Sequence, residues 1–442
     1  MSEHTRTTKL VLIGAGSAVF TKGLVADMIQ TPDLGPWELG LVDIDPAALE
    51  TAEGLCRRMV DATGAQIAVR ASENRRDLLS GADVVVTTIG VGGRRGWEAD
   101  VFIPRKYGIY QPVGDTVMPG GISRAMRMIP ALVAIARDVA DLCPQAWFFN
   151  YSNPMTANCW AVRKATGVPV VGLCHGTFDV SRALARLVGA PVGESTTLFA
   201  GLNHLTFIFD LRWKGRDMWP EVRRLLDAQP PDPFVSTNPF SWSLFRRYGA
   251  YPSANDRHVV EFFPERFPGG QYWGKTLGID AYSFEGTIAD GDRSYAMMRA
   301  QALGEEPLES WIFERTVGEH EQLLNILRSL RYDSREVYAV NLPNRGSVPN
   351  LPEDAILEIP AVATATGLHA MQVSDVSDAL AALITRRLAS TRLAVEAALA
   401  GDRELFVEAL LVDGAVTDIA QAKAIATELL DAHRAYLPNF FA

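Results

Sequence analysis

Short apolar runs and stretches with helical periodicity alternate along the first 200 residues of the chain. Six apolar runs predict strands, at residues 9–17, 39–43, 82–89, 146–149, 168–173 and 196–200. The run at 82–89 lacks the polar alternation of a half-exposed strand, which is typical of strands buried on both faces of a parallel sheet. Residues 122–142 place apolar side chains at helical spacing. This alternation of strand and helix predicts a Rossmann-like, doubly wound parallel sheet.

The pattern changes beyond that point. Residues 206–215 predict the start of a hairpin, and residues 230–270 are rich in proline and aromatic side chains, which is typical of an irregular, site-bearing region. Residues 377–436 return to helical periodicity. Since 442 residues exceed the usual size of one domain, we predict an α/β protein with a Rossmann-like domain at 1–200 and a C-terminal α+β domain at 201–442.

The composition indicates a folded protein with neither a nucleic-acid nor a membrane partner. Hydrophobic residues form 48% of the chain and charged residues 21%, as in ordinary globular proteins. Acidic residues outnumber basic ones by 52 to 42, and the net charge of -10 argues against binding to nucleic acid or to an anionic membrane. Without an 18-residue apolar stretch or a signal-peptide pattern, we expect a cytoplasmic protein whose four cysteines are reduced.

A glycine turn follows the first predicted strand. Gly14 and Gly16, followed by Ser17, would let a pyrophosphate approach backbone amides at a helix N-terminus. Asp43 ends the second predicted strand, where an acidic side chain holds the ribose of a dinucleotide and favours NAD over NADP. Val19 replaces the third glycine of the full fingerprint, and glycine turns also occur as purely structural features. The turn and Asp43 together predict dinucleotide binding.

Two further strands end in residue types that bind metals. Cys174 and His175 follow the strand at 168–173, and His204 follows the strand at 196–200. Because the carboxyl ends of parallel strands share one edge, a thiolate and an imidazole there would bind a divalent transition metal and leave positions for substrate oxygens. By composition alone, the alternative is that these side chains pack or hydrogen-bond within the core.

Loops after two other strands carry further candidates to the same edge. Asn153 follows the strand at 146–149, where its amide would orient substrate hydroxyls or simply initiate a turn with the next proline. Gly92 lies in a glycine-rich loop at 90–95, after the strand at 82–89. This loop either covers the cofactor or is a mobile connection.

A polar cluster within the aromatic region supplies candidates for a general base. Asp256 lies in the sequence Asn-Asp-Arg-His, and Tyr248 and Tyr251 precede it. A carboxylate or a phenol in such a place can accept a proton. Spacing alone does not choose among the three.

Taken in order along the chain, these segments resemble glycoside hydrolase family four. The resemblance covers nearly the whole chain, at residues 14–17, 91–93, 103–108, 114–116, 120–121, 150–155, 172–175, 200–204 and 436–440. The motifs Asn-Pro-Met, Cys-His and Asn-His, occurring in this order, make the resemblance to the family specific. The resemblance implies a fold related to lactate and malate dehydrogenases and an enzyme that hydrolyses O-glycosidic bonds.

The resemblance also implies a hydrolytic route with two cofactors. In this family, bound NAD⁺ oxidises the C3 hydroxyl of the sugar, which acidifies the C2 proton so that a base removes it. The group at C1 is then eliminated, water adds, and the hydride returns, so there is no net redox change. A divalent metal, usually Mn²⁺, bridges the oxygens at C2 and C3 as a Lewis acid. NAD-dependent glycosidases are a known exception to the mechanism with two carboxylates.

Carried onto this chain, the resemblance gives each candidate a role. The cofactor would contact Gly14, Gly16, Ser17, Asp43 and Gly92, the metal Cys174 and His204, and the substrate Asn153, while the catalytic candidates are Asp256, Tyr251 and His175. Asp256 is the first choice for the base. Some relatives use a tyrosine, so Tyr248 also stays open alongside Tyr251.

The residues that follow the ligand cysteine indicate the substrate class. Phosphosugar hydrolases of the family carry Asp or Asn after it, and α-glucosidases and α-galactosidases carry His followed by Glu or Ser. This chain has Cys174-His-Gly-Thr177, which resembles the branch associated with α-glucuronidases and α-galacturonidases. We therefore predict an α-glycoside or oligosaccharide of a hexuronic acid, with Arg257 or Arg95 pairing with the carboxylate. α-Galactosidase or α-glucosidase specificity is the alternative.

Two other functions fit parts of the pattern. An NAD-dependent 2-hydroxyacid dehydrogenase would share the fold and an Asn-Pro turn, but it would need no thiolate ligand and no metal. A nucleotide-sensing module would bind NAD without turnover, which the polar residues at several strand ends disfavour. Family members commonly form homodimers or homotetramers through helical surfaces, so we also expect a homo-oligomer.

Overall fold

The computed structural model describes residues 6–191, 193–228, 232–310, 313, 321–374 and 376–441. The first five residues, where the sequence predicts no signal peptide, lie outside the described residues, as does Pro230 at the start of the predicted irregular region.

The chain forms fifteen named strands and sixteen named helices within the described residues, and strands and helices alternate in its first half. The strands are β1 Thr8–Ile13, β2 Trp37–Val42, β3 Ile67–Ser72, β4 Val84–Thr87, β5 Trp147–Asn150, β6 Val170–Gly172, β7 Ser195–Leu202, β8 Leu205–Trp213, β9 Arg216–Asp217, β10 Tyr251–Pro252, β11 Gln271–Tyr272, β12 Lys275–Thr276, β13 Val337–Pro343, β14 Ile356–Thr364 and β15 Gly367–Ala370. The helices are α1 Phe20–Ile29, α2 Pro46–Thr63, α3 Arg76–Leu79, α4 Gly93–Arg105, α5 Met118–Leu142, α6 Met155–Thr166, α7 Gly176–Leu187, α8 Trp219–Asp227, α9 Pro233–Ser236, α10 Pro239–Tyr248, α11 Asp256–Val259, α12 Phe284–Leu303, α13 Glu321–Tyr332, α14 Asp378–Ala400, α15 Arg403–Asp413 and α16 Ile419–Ala432.

Six parallel strands form one half of a large sheet, in the order β3-β2-β1-β4-β5-β6. Every residue of β4 is buried, as are nearly all residues of β1 and β2. Such strands need apolar side chains on both faces, which explains why their sequences do not alternate. This strand order is that of the Rossmann fold, and it confirms the predicted doubly wound sheet.

The same sheet continues beyond β6 with antiparallel strands, in the order β13-β14-β7-β8-β10. The run at 196–200, which the alternation predicts as a further parallel strand, lies here within β7 and pairs antiparallel with β8 and β14. The reason is the turn Asn203-His204, because a two-residue connection folds β7 directly back onto β8 and leaves no room for a crossover helix.

The β7–β8 hairpin crosses residue 200, where the sequence predicts a domain boundary. The sheet runs without a break from the parallel half to the antiparallel half. A separate apolar cluster packs on the hairpin, and it includes Ile208, Trp219, Trp242 and Phe245. The division into 1–200 and 201–442 stays a prediction.

The helices predicted from periodicity are present in the structure. Residues 122–142 lie within α5, and the segment 377–436 folds into α14, α15 and α16. The region 230–270, predicted to be irregular, contains the ten-residue helix α10 between the short helices α9 and α11. Within the described parts of the chain, no helix has both the length and the apolar character that crossing a membrane requires.

Candidate active site

The turn after β1 approaches the neighbouring strand so closely that only glycine fits. Gly14 has a left-handed backbone (φ +94°), and a Cβ there would lie 2.8 Å from the backbone carbon of Thr88, just after β4. The Gly16 amide donates to the Oδ2 atom of Asp43 at 2.8 Å. The Oγ atom of Ser17 accepts a hydrogen bond from the first amide of α1. The structure thus brings the glycine turn and the acidic residue together.

The loop that carries Gly92 is anchored by buried charges. Gly92 precedes α4 with φ +82°, and a Cβ there would lie 3.2 Å from the Tyr436 ring. The Nε atom of Arg127 donates to the carbonyl of Val91 at 2.7 Å, and its guanidinium pairs with Asp100, both side chains being fully buried. These contacts favour a fixed loop over a mobile connection.

Asp115, His204 and His258 converge beside the end of β5. Each offers one ligand atom, and these three atoms lie within 4.8 Å of one another. The ring centroids of His204 and His258 are 4.2 Å apart. One carboxylate and two imidazoles at this spacing can share a divalent metal ion and leave coordination positions free.

Three separate segments deliver these side chains. Asp115 lies in the loop between α4 and α5, and His258 lies in the short helix α11. His204 is the second residue of the β7–β8 turn and has a left-handed backbone, with φ +66°. The site therefore depends on the packing of loops that are remote from one another in sequence.

Hydrogen bonds orient the three side chains. Thr116 donates its hydroxyl proton to Oδ1 of Asp115 at 2.6 Å, and its Oγ1 lies 2.9 Å from Nδ1 of His204. Because that proton goes to the carboxylate, Nδ1 of His204 acts as the donor to Thr116, which leaves Nε2 as a lone-pair ligand. Asn153 donates from Nδ2 to Oδ2 of Asp115 at 2.9 Å, and Arg124 donates from Nε to the Asn153 carbonyl at 3.0 Å.

The surrounding charges set the protonation of the cluster. Burial alone would raise the pKa of Asp115, but the charges that His204 and His258 carry when protonated, together with that of Arg124, outweigh it and lower that pKa to about 2. Burial lowers the pKa of His204 and, more strongly, of His258. At neutral pH the cluster therefore presents a carboxylate and two neutral imidazoles, which are the forms that bind metal ions.

Cys174 and His175 lie between β6 and α7. Cys174 is half-buried and stands outside the cluster of three ligand atoms. His175 is 43% exposed, with its Nε2 atom 3.6 Å from Oδ2 of Asp179. The charge of His175 contributes to the lowered pKa of His204 and His258, so His175 lies beside the cluster.

A buried glutamate joins the two loops that the sequence singles out for metal binding. Glu358, on β14, accepts a hydrogen bond from Nδ2 of Asn203 at 2.9 Å and another from the hydroxyl of Thr177. Asn203 precedes His204, and Thr177 lies three residues after Cys174. The glutamate thus fixes these loops relative to each other.

Asp256, Tyr248 and Tyr251 have partners other than the three residues of the cluster. Asp256 is fully buried, and its carboxylate accepts from the amides of Phe240 and Ser241 at 2.7 Å each and from the Tyr272 hydroxyl at 2.7 Å. It therefore caps the start of α10, an arrangement that argues against its prediction as the base. Tyr251 is buried in the apolar cluster on the β7–β8 hairpin.

Tyr248 and the two predicted substrate arginines have different surroundings. Tyr248 packs edge-on against Phe207, with ring centroids 6.5 Å apart. Arg95 is 63% exposed and already pairs with Glu98 and Asp292. Arg257 directly precedes His258, whose pKa is lowered mainly by burial and also by the charge of Arg257.

Two members of the cluster carry roles that sequence reasoning did not assign. Asp115 lies in the Gly-Asp-Thr segment on which the family resemblance partly rests, yet spacing gives no sign that it faces a histidine. His258 lies two residues after Asp256, in the segment where the sequence predicts a general base and the substrate-binding Arg257 but no metal ligand. Their residue types are typical of metal ligands, but their spacing along the sequence does not indicate that they meet His204.

Two models of one known family match most of the chain. The model for "Family 4 glycosyl hydrolase" matches residues 9–190, and that for "Family 4 glycosyl hydrolase C-terminal domain" matches residues 199–416. An alpha-glucosidase of Erwinia rhapontici is 33% identical to this chain over 92% of it and 93% of the relative. An alpha-galacturonidase of Thermoanaerobacterium saccharolyticum is 30% identical, over 98% of this chain and 97% of the relative.

Solved structures share the fold at lower identity. A 6-phospho-alpha-glucosidase from gut microorganisms, in complex with NAD and Mn²⁺, has a TM-score of 0.85 at 18% identity and covers 98% of this chain and 99% of its own. The malate dehydrogenase of Cryptosporidium parvum has a TM-score of 0.51 at 16% identity and covers 89% of this chain and 99% of its own. These likenesses confirm the predicted relation to the dehydrogenase fold.

Proposed function

The chain belongs to family 4 of the glycosyl hydrolases and is a glycosidase, and we propose that it hydrolyses α-glycosides of a hexuronic acid with the help of NAD and a divalent metal ion, Mn²⁺. The observation that carries the proposal is the cluster of Asp115, His204 and His258 beside the end of β5. It stands next to Asn153, a residue type that can orient sugar hydroxyls.

The residues of the glycine turn fit a dinucleotide. Gly14 and Gly16 leave no side chain over the turn that precedes α1, and a Cβ on either would collide with neighbouring atoms. Asp43 is half-buried at the end of β2, where an acidic residue accepts from the ribose hydroxyls. We propose that Ser17 and Gly92 complete this NAD site, Gly92 from the anchored loop before α4.

The donor set of the cluster fits a first-row divalent metal. Asp115, His204 and His258 would hold the ion, and Cys174, which the family resemblance predicts as a ligand, would join them from the loop after β6. When bound, NAD would supply hydride transfer at the sugar C3, and the metal would polarise the oxygens at C2 and C3 as a Lewis acid.

Side chains around the cluster would orient the sugar and move protons. Asn153 is held by Asp115 and by Arg124, so its amide has a fixed direction towards the substrate. His175 is the exposed imidazole next to the cluster, and we assign to it proton exchange with the substrate. This assignment replaces Asp256, whose carboxylate is saturated with hydrogen bonds inside the protein.

Two features support a uronic-acid substrate. The sequence Cys174-His-Gly-Thr177 resembles the uronidase branch, and an alpha-galacturonidase is among the relatives. Arg257 donates from its terminal nitrogen to the Thr287 hydroxyl at 2.9 Å, while its Nε is buried and has no partner among the described residues. The remaining donors of this guanidinium can bind a carboxylate.

A neutral sugar is the second candidate. It is favoured by the alpha-glucosidase relative, whose identity of 33% exceeds the 30% of the alpha-galacturonidase. The two candidates differ in the group at sugar C5, which is a carboxylate in one and a hydroxymethyl in the other. A cationic side chain near that carbon would discriminate between them.

Release of p-nitrophenol from the α-D-glucuronide, α-D-galacturonide, α-D-galactoside and α-D-glucoside tests the proposal. We expect turnover of a uronide that stops when NAD⁺, Mn²⁺ or a thiol reductant is left out. Activity restricted to the neutral sugars would overturn the uronide assignment and support the second candidate. Steady NADH formation without p-nitrophenol release would instead indicate a dehydrogenase.

A further inference from the structure

A buried glutamate links the loop of Asp115 to the segment of His258. Glu261 lies three residues after His258, in the 3₁₀ turn Val260–Phe262 that continues α11. Its side chain is 2% exposed, and its Oε1 atom accepts hydrogen bonds from the amides of Val113 at 2.7 Å and Gly114 at 2.8 Å. These are the two residues that precede Asp115.

The loop itself has little freedom where the glutamate holds it. Gly114 has φ +64°, and a Cβ there would lie 2.6 Å from a methyl carbon of Val101. On the far side of Asp115, the Gly120 amide donates to the buried side chain of Gln111 at 3.1 Å. By fixing the amides of Val113 and Gly114, Glu261 therefore orients the side chain of Asp115, the next residue.

We infer that Glu261 is a positioning residue of the metal centre, because one short segment supplies both the ligand His258 and the acceptor that fixes the loop of the ligand Asp115. The inference rests on the proposed metal site. Glu261 itself is not one of the three candidate ligands. It sets the separation between two ligands that come from different parts of the chain, as outer-shell partners of metal ligands do.

Two conservative substitutions distinguish positioning from a role of the ionisable carboxyl group. In Glu261→Gln the side-chain oxygen stays within reach of both amides, although the ionisable carboxyl is lost. In Glu261→Asp the carboxyl stays, but the side chain is one methylene shorter and the oxygen withdraws from the amides. If positioning is the role, Glu261→Asp weakens Mn²⁺ binding about ten- to a hundredfold, and Glu261→Gln keeps it close to wild type.

The measurement is a titration of the full chain with Mn²⁺, in the presence of NAD⁺, with free Mn²⁺ followed by electron paramagnetic resonance. Asp413→Asn is the control, because Asp413 accepts from the Met118 amide (3.3 Å) at the start of α5 and pairs with Arg387. We expect this control to lower the melting temperature and to leave Mn²⁺ affinity unchanged.

Each outcome decides between the alternatives. Equal weakening in Glu261→Gln and Glu261→Asp, or wild-type affinity in Glu261→Asp, overturns the inference, as does equal weakening in Asp413→Asn. If Glu261→Asp does not fold, a tenfold loss in Glu261→Gln overturns it and wild-type affinity supports it. Absence of Mn²⁺ binding by the wild-type chain would refute the proposed metal site instead, so the two failures are distinguishable.

Discussion

The amide of Asn153 donates to the carboxylate of Asp115 across 2.9 Å, and this bond joins the loop after β5 to the candidate metal centre. The sequence separates the two residues by more than thirty positions, and neither motif indicates the contact. The bond leaves the amide oxygen of Asn153 as an acceptor for a ligand hydroxyl. It also makes the geometry of Asn153 dependent on the ionised state of Asp115.

Replacement of Asn153 by Asp is expected to abolish this arrangement, because two carboxylates would face each other at hydrogen-bond distance. We expect glycosidase activity to fall about a hundredfold or more, since a small displacement of a substrate-orienting group has that effect. The measurement is kcat/KM on the preferred p-nitrophenyl glycoside. Asn255→Asp, at an exposed position near the site, serves as control and should retain activity. Equal activity of the two variants would contradict the role of Asn153.

Alanine at His204 or His258 is expected to remove one ligand and weaken Mn²⁺ binding at least about tenfold in each variant. Isothermal titration with Mn²⁺ measures this directly. His369→Ala is the matched control, because His369 is exposed on β15 and bonds only to nearby threonine hydroxyls among the described contacts. Unchanged affinity in His258→Ala would exclude His258 from the ligand set.

Asp256→Asn is expected to lower stability rather than to remove a catalytic base. The asparagine NH₂ group would face amide and hydroxyl donors that now point at a carboxylate, at a cost of about 1–3 kcal/mol. Urea unfolding gives the free-energy change, and kcat of the folded fraction should remain within a few-fold of wild type. A stable variant without turnover would instead restore Asp256 as the base.

Gly14→Ala is expected to weaken NAD⁺ binding, because the new Cβ would collide with the backbone at Thr88 and displace the turn. Fluorescence titration with NAD⁺ measures the dissociation constant, and we expect an increase of more than about tenfold. Gly64→Ala is the control, since Gly64 is also left-handed (φ +63°) but has no atom within 4 Å of the added carbon. It should cost about 1–2 kcal/mol of stability without changing NAD⁺ affinity.

Alkylation by iodoacetamide is expected to select Cys174 among the cysteines. Burial raises the pKa of Cys56 and of Cys159 to about 12, so little reactive thiolate forms at pH 8, whereas Cys174 is half-buried beside the site. Peptide mass spectrometry identifies the modified residue. If Cys174 is a metal ligand, as the resemblance implies, Mn²⁺ with NAD⁺ should slow its modification. Equal rates with and without metal would argue against that role.

Much of the fold follows from the sequence alone. Apolar runs without alternation identify the buried parallel strands, because burial on both faces requires apolar side chains at successive positions. The glycine turn and Asp43 identify the nucleotide-binding half, because a close approach of the backbone requires glycine. The same local reasoning misplaces β7, since a strand after a helix looks alike whether it joins the sheet in parallel or folds back through a two-residue turn.

The active-site constellation is decided by tertiary structure. The ordered motifs indicate the family and direct attention to Asn153, Cys174 and His204, but Asp115 and His258 become neighbours of His204 only when three distant loops pack together. Asp256, the strongest sequence candidate for the base, is instead buried as a helix cap by the amides of Phe240 and Ser241. Residue type determines which chemistry a side chain can perform, whereas burial and hydrogen-bond partners, which depend on the whole chain, determine whether it is available to a substrate.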